Sequence, residues 1–245
     1  MRTRLRSFRT TRRTLLASAA LAMAGAALVG APAVEAQEPL KIGIIGTGRI
    51  GGALARHWVN AGHEVLMSSR HPEELQDLAK ELGPRAHVGT PAEAAAFGSV
   101  VLVSVPYGAI PQIGADFADE LAGKVIIDTS NPVDGRDGIQ VPEWKQKGAG
   151  VSTAELLKSD RVVRAFNCIP AASLAGQANR QPERIAIPIG GDDAAALLIA
   201  ERLVRDAGFD PVVVGSLAET RQFDLGQPLA QGNLSAAELR ARMDR

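Results

Sequence analysis

The chain has 245 residues, 46% of them hydrophobic, with 27 Lys and Arg balanced by 27 Asp and Glu. That length suits one α/β domain with an appendage, large enough to bury a sizeable core. Residues 1–36 contain six of the arginines and one glutamate, so the rest of the chain has a net charge of about −5. This charge excludes the basic surface that is typical of a nucleic-acid-binding protein. A single cysteine excludes an intramolecular disulfide, and four scattered histidines predict no structural metal.

Residues 1–36 are typical of a secretory signal peptide. Six arginines precede an uncharged stretch, Thr14–Val34, and Val34-Glu35-Ala36 offers small residues at the cleavage positions. The pair Arg12-Arg13 resembles a twin-arginine signal, which directs export of folded proteins. We therefore expect a twin-arginine-type signal peptide, a periplasmic mature protein and no membrane span after cleavage. The alternative is an uncleaved membrane anchor, for which the length is adequate.

The segment Leu40–Arg70 has the pattern of a strand, a glycine-rich turn, a helix and a second strand. The turn reads Gly46-Thr47-Gly48-Arg49-Ile50-Gly51. This is the dinucleotide-binding fingerprint in its required context. Gly46 permits a tight turn, Gly48 lets backbone N–H groups approach a pyrophosphate, and Gly51 lets the helix pack closely on the strand. The sequence predicts nucleotide binding at these six residues, and the alternative is a flexible glycine loop.

The end of the second strand indicates which nucleotide binds. NAD-preferring sites carry an acidic residue about 20 residues past the glycines, whereas this chain has Ser68-Ser69-Arg70 and no carboxylate before Glu73. A hydroxyl and a guanidinium suit a dianionic 2′-phosphate. Ser69 and Arg70 therefore predict NADP(H), against the alternative of an ordinary solvated arginine in a turn.

The alternation of strands and helices continues beyond Arg70. We expect helices over residues 72–82, 91–97 and 110–121, and strands over 86–88, 99–105 and 124–128. The strand at 99–105 is a nearly continuous β-branched run, as expected of a strand buried on both faces. The motifs that follow the strands at 105 and 128 lie where ligands of open α/β sheets bind.

The second half of the chain is less regular. A loop is expected over 133–150, then a short helix opened by a capping box at Ser152–Glu155. Further strands are expected over 161–165, 184–190 and 211–214, with a helix that Gly191-Asp192-Asp193 caps and that runs to about Ala207. The tail from Ser216 is polar and closes with a short amphipathic helix over 235–243.

These elements predict an α/β fold, a Rossmann-type doubly wound and mostly parallel sheet with a short C-terminal helical tail. The predicted organisation is a signal peptide over 1–36, an NADP-binding Rossmann domain over 37–215 and a tail over 216–245.

Six motifs in order carry a family resemblance: GTGRIG, SSR, VSVPY, DTSNP, AFNCIPA and GGDD. Together they resemble the NADPH-dependent reductases of the deazaflavin coenzyme F-420, grouped with the N-terminal domain of pyrroline-5-carboxylate reductase. Membrane ferric reductases with an F-420-reductase-like domain are further relatives. The resemblance covers about Lys41–Val214 and implies a Rossmann domain that binds NADP(H), with a deazaflavin or flavin as second substrate.

The resemblance also implies roles for individual residues. Thr47 and Arg49 fall in the family's phosphate turn, and Ser69 and Arg70 fall in its 2′-phosphate clamp. Val105, Pro106 and Tyr107 fall where the family passes the ribose and nicotinamide. Asn131 with Pro132, and Phe166 with Asn167, line its reaction cleft. Two departures are visible. Glu73 and Glu74 replace a lysine that often follows the clamp, and the tail replaces a long apolar helical segment that builds the second pocket and the dimer.

Catalysis by orientation and proximity follows from the residues themselves. The only tyrosine, Tyr107, has proline at position 111, so the chain has no Tyr-x-x-x-Lys pair, and no Ser/His/Asp set recurs at the strand ends. Hydride transfer to a deazaflavin or flavin needs two stacked rings and no proton relay through a side chain. We expect Asn131 and Asn167 to position the carboxamide or acceptor, the alternative being two turn-formers. Cys168 is expected to be a buried inert thiol, the alternative being a redox-active one.

The predicted function is an NADP(H)-dependent oxidoreductase that transfers hydride between NADPH and a deazaflavin, flavin or related small-molecule acceptor. The alternative is an NADP-binding protein without turnover of its own, a sensor or a partner subunit. The sequence allows a homodimer and does not name the acceptor.

Overall fold

Eight strands form a single sheet in the computed structural model, which describes residues 38–244; the predicted signal peptide lies outside the described residues. The strands are β1 (Lys41–Ile45), β2 (Glu64–Ser68), β3 (Ala86–Gly89), β4 (Val100–Val103), β5 (Val125–Asp128), β6 (Val162–Arg164), β7 (Ala186–Gly191) and β8 (Asp210–Gly215). Their order is β3-β2-β1-β4-β5-β6-β7-β8, and every neighbouring pair is parallel except β6 and β7. The predicted mostly parallel, Rossmann-type sheet is therefore confirmed.

Ten helices accompany the sheet within the described residues. They are α1 (Arg49–Asn60), α2 (Gln76–Leu82), α3 (Pro91–Phe97), α4 (Ile110–Asp116), α5 (Ala118–Leu121), α6 (Val141–Lys147), α7 (Ala149–Leu157), α8 (Ala171–Gly176), α9 (Ala194–Asp206) and α10 (Ala236–Met243). Across residues 38–244, no helix combines the length and the apolar composition that a membrane crossing requires.

The helices cover both faces of the sheet, which makes it doubly wound. Apolar side chains of α1, α2, α8 and α9 share one core cluster with one face of the strands. Those of α3 to α7 share a second cluster with the opposite face. Because successive side chains of a strand point to opposite faces, Ile44 lies in the first cluster and Ile45 in the second. All four residues of β4 are buried, as the sequence predicts for a central parallel strand.

The tail is polar in sequence and nevertheless packs on the sheet. Phe223, Leu229 and Leu239 are almost completely buried against Ala186 and Val212 of the last two parallel strands. The final helix, α10, begins as expected, because Ser235 and the Glu238 side chain form a reciprocal capping box. A few widely spaced apolar residues are therefore enough to fix this segment.

The structure corrects the prediction for residues 133–155. The expected loop contains α6 and the start of α7, and the expected capping box at Ser152–Glu155 is wrong, because these residues lie inside α7. That helix follows Gly148, and its first N–H group, on Ala149, donates to the Asp224 carboxylate at 3.1 Å. The hydrogen-bond partner at the N-terminus of α7 thus comes from the tail, 75 residues away, which no local sequence pattern can reveal.

Three smaller differences concern the helices. The helix predicted over 72–82 begins as a 3₁₀ turn, Pro72–Leu75. The helix predicted over 110–121 is interrupted at Phe117, which leaves the helical region (φ −125°, ψ 25°). The short helix α8 was not predicted. Its six residues are too few to display a helical period.

His63 is a buried polar anchor at the amino-terminal edge of the sheet. Its side chain is almost without exposure, and its Nδ1 accepts a hydrogen bond from the Leu40 N–H at 3.0 Å. An N–H group can only donate, so Nδ1 carries no proton and Nε2 donates to Asp206 Oδ2 at 2.9 Å. Burial lowers the pKa of His63, and the opposing effect of Asp206 does not restore it.

This arrangement predicts a pH-dependent stability. Because the folded state lowers the pKa of His63, the unfolded chain binds more protons below about pH 6.5, the ordinary histidine value. The contribution of His63 is present above that pH and is lost as the pH falls. Urea unfolding should therefore give a smaller free energy of unfolding at pH 5.5 than at pH 7.5, and His63→Gln should flatten this dependence. His87→Gln, at an exposed position, should retain it; equal slopes in both variants would contradict the assignment.

Candidate functional site

The carboxyl ends of the parallel strands meet at one edge of the sheet and carry the predicted site residues. Strands β2, β1, β4, β5 and β6 run in the same direction. The segments that leave them at this edge are, in the same order, Ser69–Arg70, Gly46–Gly51, Val105–Tyr107, Asn131–Pro132 and Asn167. Residues far apart in sequence are therefore brought to one side of the molecule, where open α/β folds bind ligands.

The three glycines of the turn have different structural roles. Gly46 has a left-handed backbone (φ 97°), and a Cβ there would lie 2.4 Å from the Ser104 carbonyl oxygen. A Cβ at Gly51 would lie 2.2 Å from the carbonyl oxygen of Gly46. At Gly48, in contrast, no described atom lies within 4 Å of the Cβ position apart from those of the adjacent residues and of the helix backbone itself. Two glycines therefore permit close packing, and the third borders open space, as the fingerprint glycine beside a pyrophosphate does in Rossmann folds.

The amino terminus of α1 opens onto the same space. Among residues 38–244, no side chain caps this helix, and its first turn contains no acidic residue. The first N–H groups of a helix lack intrahelical partners and carry the positive end of the helix dipole. With Gly48 as the N-cap residue, these donors are left for an anion.

The Ser68 carbonyl oxygen fixes the end of β2 to the glycine turn. It accepts hydrogen bonds from the Gly46 N–H at 3.2 Å, from the Thr47 N–H at 3.0 Å and from the Thr47 hydroxyl at 3.0 Å. The buried Ser68 hydroxyl donates to the Ile44 carbonyl at 2.8 Å. The turn after β1 and the segment after β2 therefore form one rigid unit.

Two cationic side chains flank this unit. Arg49 and Arg70 are exposed, and neither has a hydrogen bond or an ion pair with another residue in the described part of the chain. The Ser69 hydroxyl oxygen accepts the His71 N–H at 2.9 Å, so its own proton remains available to donate outwards. Ser69, Arg49 and Arg70 thus offer one hydroxyl and two positive charges beside the open space at Gly48.

The segment after β4 contributes in two ways. Val105 packs beside the glycine turn, with Cγ1 2.8 Å from the Cβ position of Gly46, and Pro106 is exposed. The Tyr107 side chain is fully buried; its hydroxyl donates to the Ala149 carbonyl at 2.6 Å and burial raises its pKa. Tyr107 therefore leaves only its backbone at the sheet edge.

Asn131 and Asn167 are joined through their amide groups. Asn131 Nδ2 donates to the Asn167 carbonyl at 2.7 Å, and Asn167 Nδ2 donates to Asn131 Oδ1 at 3.2 Å and to the Phe223 carbonyl at 2.9 Å. Asn131 is half-buried, Pro132 is buried, and Asn167 is buried behind them. The two predicted positioning residues therefore form a single hydrogen-bonded pair.

Sequence reasoning missed the residue that holds this pair. The Arg164 side chain has no exposure; its NH1 donates to Asp128 Oδ2 at 2.8 Å and to the Ser130 carbonyl at 2.6 Å. Its NH2 donates to Asn131 Oδ1 at 3.0 Å and to Asp224 Oδ1 at 2.8 Å. Burial alone would lower the pKa of Arg164, but the two carboxylates outweigh it and raise the pKa. The available signal was a charged residue at the end of an apolar strand.

The loop after Pro132 is held by another unpredicted carboxylate. The buried Asp137 accepts the N–H groups of Gly108 at 3.2 Å and Val133 at 2.8 Å, together with two hydrogen bonds from Arg136. Burial would raise the pKa of Asp137, but these hydrogen bonds together hold it below its ordinary value. Asp137 therefore fixes the loop to the segment after β4.

A cleft of about 410 Å³ lies beside the amide pair. Its walls are Pro132, Val133, Asp134, Lys145, Arg221, Asp224, Leu225 and Gln227. Lys145 pairs with Asp134 at 2.6 Å, and Asp224 is bound by Arg164. Arg221 is exposed and makes no side-chain hydrogen bond or ion pair with another of the residues at 38–244. The cleft therefore combines three apolar residues, Pro132, Val133 and Leu225, with paired charges and one cation, Arg221, that no described acidic side chain pairs with.

Two further residue classes bear on the chemistry. Cys168 is half-buried and not fully buried as expected. Desolvation of its thiol nevertheless raises the pKa to about 12, which favours the inert interpretation over the redox-active one. In the described part of the chain, no group of three or more His, Cys, Asp or Glu side chains is arranged to hold a metal ion.

Comparison with known proteins shows which family the chain resembles. The family described as "NADP oxidoreductase coenzyme F420-dependent" matches residues 41–132, from β1 to the Asn131-Pro132 segment. The chain is 32% identical over 198 residues to the metalloreductase STEAP3 of Rattus norvegicus, covering 80% of this chain but only 38% of that protein. It is 29% identical over 204 residues to the F420-dependent NADP reductase of Methanothermobacter thermautotrophicus, covering 78% and 87% of the two chains.

Solved structures agree with the sequence relatives. A hypothetical protein of Sinorhizobium meliloti superposes with a TM-score of 0.70 at 28% identity, over 81% of this chain and 96% of that chain. A protein of Arthrobacter sp. FB24, assigned as an F420-dependent NADP reductase, superposes with a TM-score of 0.64 at 25% identity, over 74% and 87%. The resemblance drawn from the sequence motifs is confirmed: the amino-terminal part of the domain matches the family described as coenzyme F420-dependent, and the chain is similar to F420-dependent NADP reductases over most of their length.

Proposed function

We propose that this protein binds NADPH at the glycine turn and transfers hydride from it to a small-molecule acceptor in the adjacent cleft. The observation that carries the proposal is the open space at Gly48, bordered by the uncapped end of α1 and by Arg49 and Arg70 without protein partners. A dinucleotide with a pyrophosphate and a 2′-phosphate supplies the anions that these groups lack.

The residues divide between the parts of the coenzyme. The N–H groups at the start of α1, together with Thr47 and Arg49, would hold the pyrophosphate. Ser69 and Arg70 would hold the 2′-phosphate, because a hydroxyl and a guanidinium both donate to phosphate oxygens. The rigid connection through Ser68 keeps these two groups of donors at a fixed separation.

The contribution of the chain to catalysis is orientation. NADPH, when bound, supplies the hydride. The only tyrosine hydroxyl is committed to the Ala149 carbonyl, and the raised pKa of the Cys168 thiol disfavours its thiolate, so neither group suits a proton relay. The Asn131–Asn167 pair would hold the nicotinamide end by hydrogen bonds, and fixed geometry of this kind is a large source of rate acceleration.

The cleft beside the amide pair is the proposed acceptor site. Leu225, Pro132 and Val133 give apolar surface for a flat ring, and Arg221 favours an acceptor that carries a negative charge. A deazaflavin or a flavin meets both requirements. The relatives named F420-dependent NADP reductase favour the deazaflavin, whereas another relative is named a metalloreductase.

A second candidate is an NADP-binding protein without turnover, a sensor or a partner subunit. The observation that favours this candidate is that the chain matches only 38% of the length of the rat metalloreductase. A partner protein would then supply the acceptor site, or the chain would be half of a homodimer.

Export is a separate proposal and rests on residues 1–36 alone. A twin-arginine route would carry the folded protein to the periplasm with its nucleotide bound. Amino-terminal sequencing of the protein from fractionated cells tests this, and a periplasmic species beginning at Gln37 is expected.

Turnover separates the two candidate functions. With NADPH in excess, the protein should oxidise it steadily, without oxygen, when a deazaflavin or a flavin is added, as measured by absorbance at the nicotinamide band. Arg221→Ala should raise the KM for the acceptor about tenfold, since a hydrogen bond to a charged group contributes about 1.5–3 kcal/mol. Arg85→Ala, at another exposed arginine outside the site, is the matched control. Binding of NADPH without any oxidation would favour the second candidate.

The glycines of the turn should separate folding from binding. Gly48→Val should melt close to the wild type and bind no NADPH, because its side chain enters the space reserved for the pyrophosphate. Gly51→Ala should lower stability by about 1–3 kcal/mol, since a Cβ collides with the Gly46 carbonyl and forces the helix to shift. Thermal melts and fluorescence titration with NADPH measure both effects. A stable Gly48→Val protein with wild-type affinity would refute the site.

Arg70 should set the coenzyme preference. NADPH should bind more tightly than NADH, and Arg70→Ala should remove about 1.5–3 kcal/mol of NADPH binding while leaving NADH unaffected. Arg49→Ala is the matched variant, since it should weaken both coenzymes equally through the shared pyrophosphate. Calorimetric titration of both coenzymes gives the comparison. Equal wild-type affinities would rule out the NADP assignment.

A further inference from the structure

The buried network behind the cleft extends from the tail to the amide pair. We propose that Arg164 and Asp224 are positioning residues that fix the Asn131 amide for hydrogen bonding to the nicotinamide end of NADPH. The proposal rests on the proposed coenzyme site and adds two residues that no surface feature or motif assigns to it.

The first step is the orientation of the Asn131 amide. A guanidinium can only donate, so the atom of Asn131 that lies 3.0 Å from Arg164 NH2 must be the oxygen. Asn167 Nδ2 donates to the same oxygen at 3.2 Å. The Nδ2 group of Asn131 therefore points away, with one hydrogen on the Asn167 carbonyl and the second left to donate. That second hydrogen suits a carbonyl acceptor such as that of a carboxamide.

The second step is the control of Arg164 by the tail. Each terminal nitrogen of a guanidinium carries two hydrogens. At NH2, one hydrogen goes to Asp224 Oδ1 at 2.8 Å and the other to Asn131 Oδ1 at 3.0 Å. Asp224 is itself fixed, because its Oδ2 accepts the Ala149 N–H at 3.1 Å. A carboxylate from the C-terminal segment thus sets the direction of the hydrogen that orients Asn131.

The third step is that this cluster is not arranged for stability alone. Among the described residues, three buried polar atoms lack a hydrogen-bond partner: Ser130 Oγ, Arg164 Nε and Asn167 Oδ1. All three belong to this cluster. Phe166, next to Asn167, is a buried non-glycine residue with a left-handed backbone (φ 59°). Unpaired buried polar atoms and backbone strain are unfavourable, and both concentrate at functional sites.

Two conservative variants test the proposal. Arg164→Lys keeps the buried charge but has a single side-chain nitrogen. That one nitrogen cannot donate to Asp128, Asp224 and Asn131 as the two terminal nitrogens of the guanidinium do. Asp224→Asn keeps the shape of the side chain and removes the charge that orients NH2. Both are compared with His63→Gln, which disturbs a buried hydrogen-bonded group at the opposite edge of the sheet.

The informative measurement is the ratio of two affinities. ADP-ribose 2′-phosphate contains every part of NADPH except the nicotinamide ring with its carboxamide. In both variants, ADP-ribose 2′-phosphate should bind with the wild-type affinity. NADPH should bind about fivefold more weakly, because one oriented hydrogen bond is lost. The kcat with a flavin or deazaflavin should fall about tenfold or more, because misplacement of the reacting ring lowers the rate steeply. His63→Gln should melt earlier and change neither the ratio nor kcat.

The outcomes separate this proposal from the proposed turnover. A wild type that never oxidises NADPH would refute turnover, and the affinity ratio would still decide the positioning role. Variants that melt earlier but keep the wild-type ratio would overturn the positioning role and leave a structural one. Should Arg164→Lys fail to fold, Asp224→Asn decides alone, because its side chain is partly exposed (15%) and its shape is unchanged.

Discussion

Arg164 carries its positive charge at a position without any contact with water, and transfer of such a charge into the interior costs several kcal/mol unless it is fully paired. Its partners come from three separate parts of the chain: Asp128 at the end of β5, the Ser130–Asn131 segment, and Asp224 in the tail. Each part must be in place before the charge is compensated. The strand end, the cleft loop and the C-terminal segment are therefore interdependent, and α7 joins them because its first N–H group uses the same Asp224 carboxylate. A tail that looks dispensable in sequence thus closes the core of the site.

The features that the sequence predicted correctly are those with a local signal. The glycine turn combines a fixed spacing with a strand before it and a helix after it, and the structure confirms all three. The strands β4 and β5 are short apolar runs ended by turn residues, so their position and burial followed directly. The placement of Ser69, Arg70 and Asn131 at one edge also followed, because parallel strands end at the same side of a sheet. Fold class and the outline of the site are thus contained in local patterns.

The features that the sequence did not reveal depend on contacts between distant segments. Arg164 and Asp224 are 60 residues apart, and the Ala149 N–H and Asp224 are 75 apart, so no local window contains either pair. Tyr107 follows a strand end just as a ligand-binding residue would, and only the packing against Trp144 shows that its ring turns into the core. The Ser152–Glu155 sequence matches the capping-box pattern, but α7 begins four residues earlier than that pattern predicts. The Asp224 carboxylate of the tail accepts the hydrogen bond of its first N–H group there.

The hydrogen bonds of the Ser68 carbonyl oxygen bear on how the coenzyme preference of this chain could change. It binds the glycine turn through backbone groups and the Thr47 hydroxyl, and it makes no use of the side chains of Ser69 and Arg70. Replacement of those two side chains therefore leaves the geometry of the turn intact. In the proposed site, coenzyme preference would therefore change through two adjacent codons without a loss of foldability, and the contacts to the pyrophosphate would stay the same.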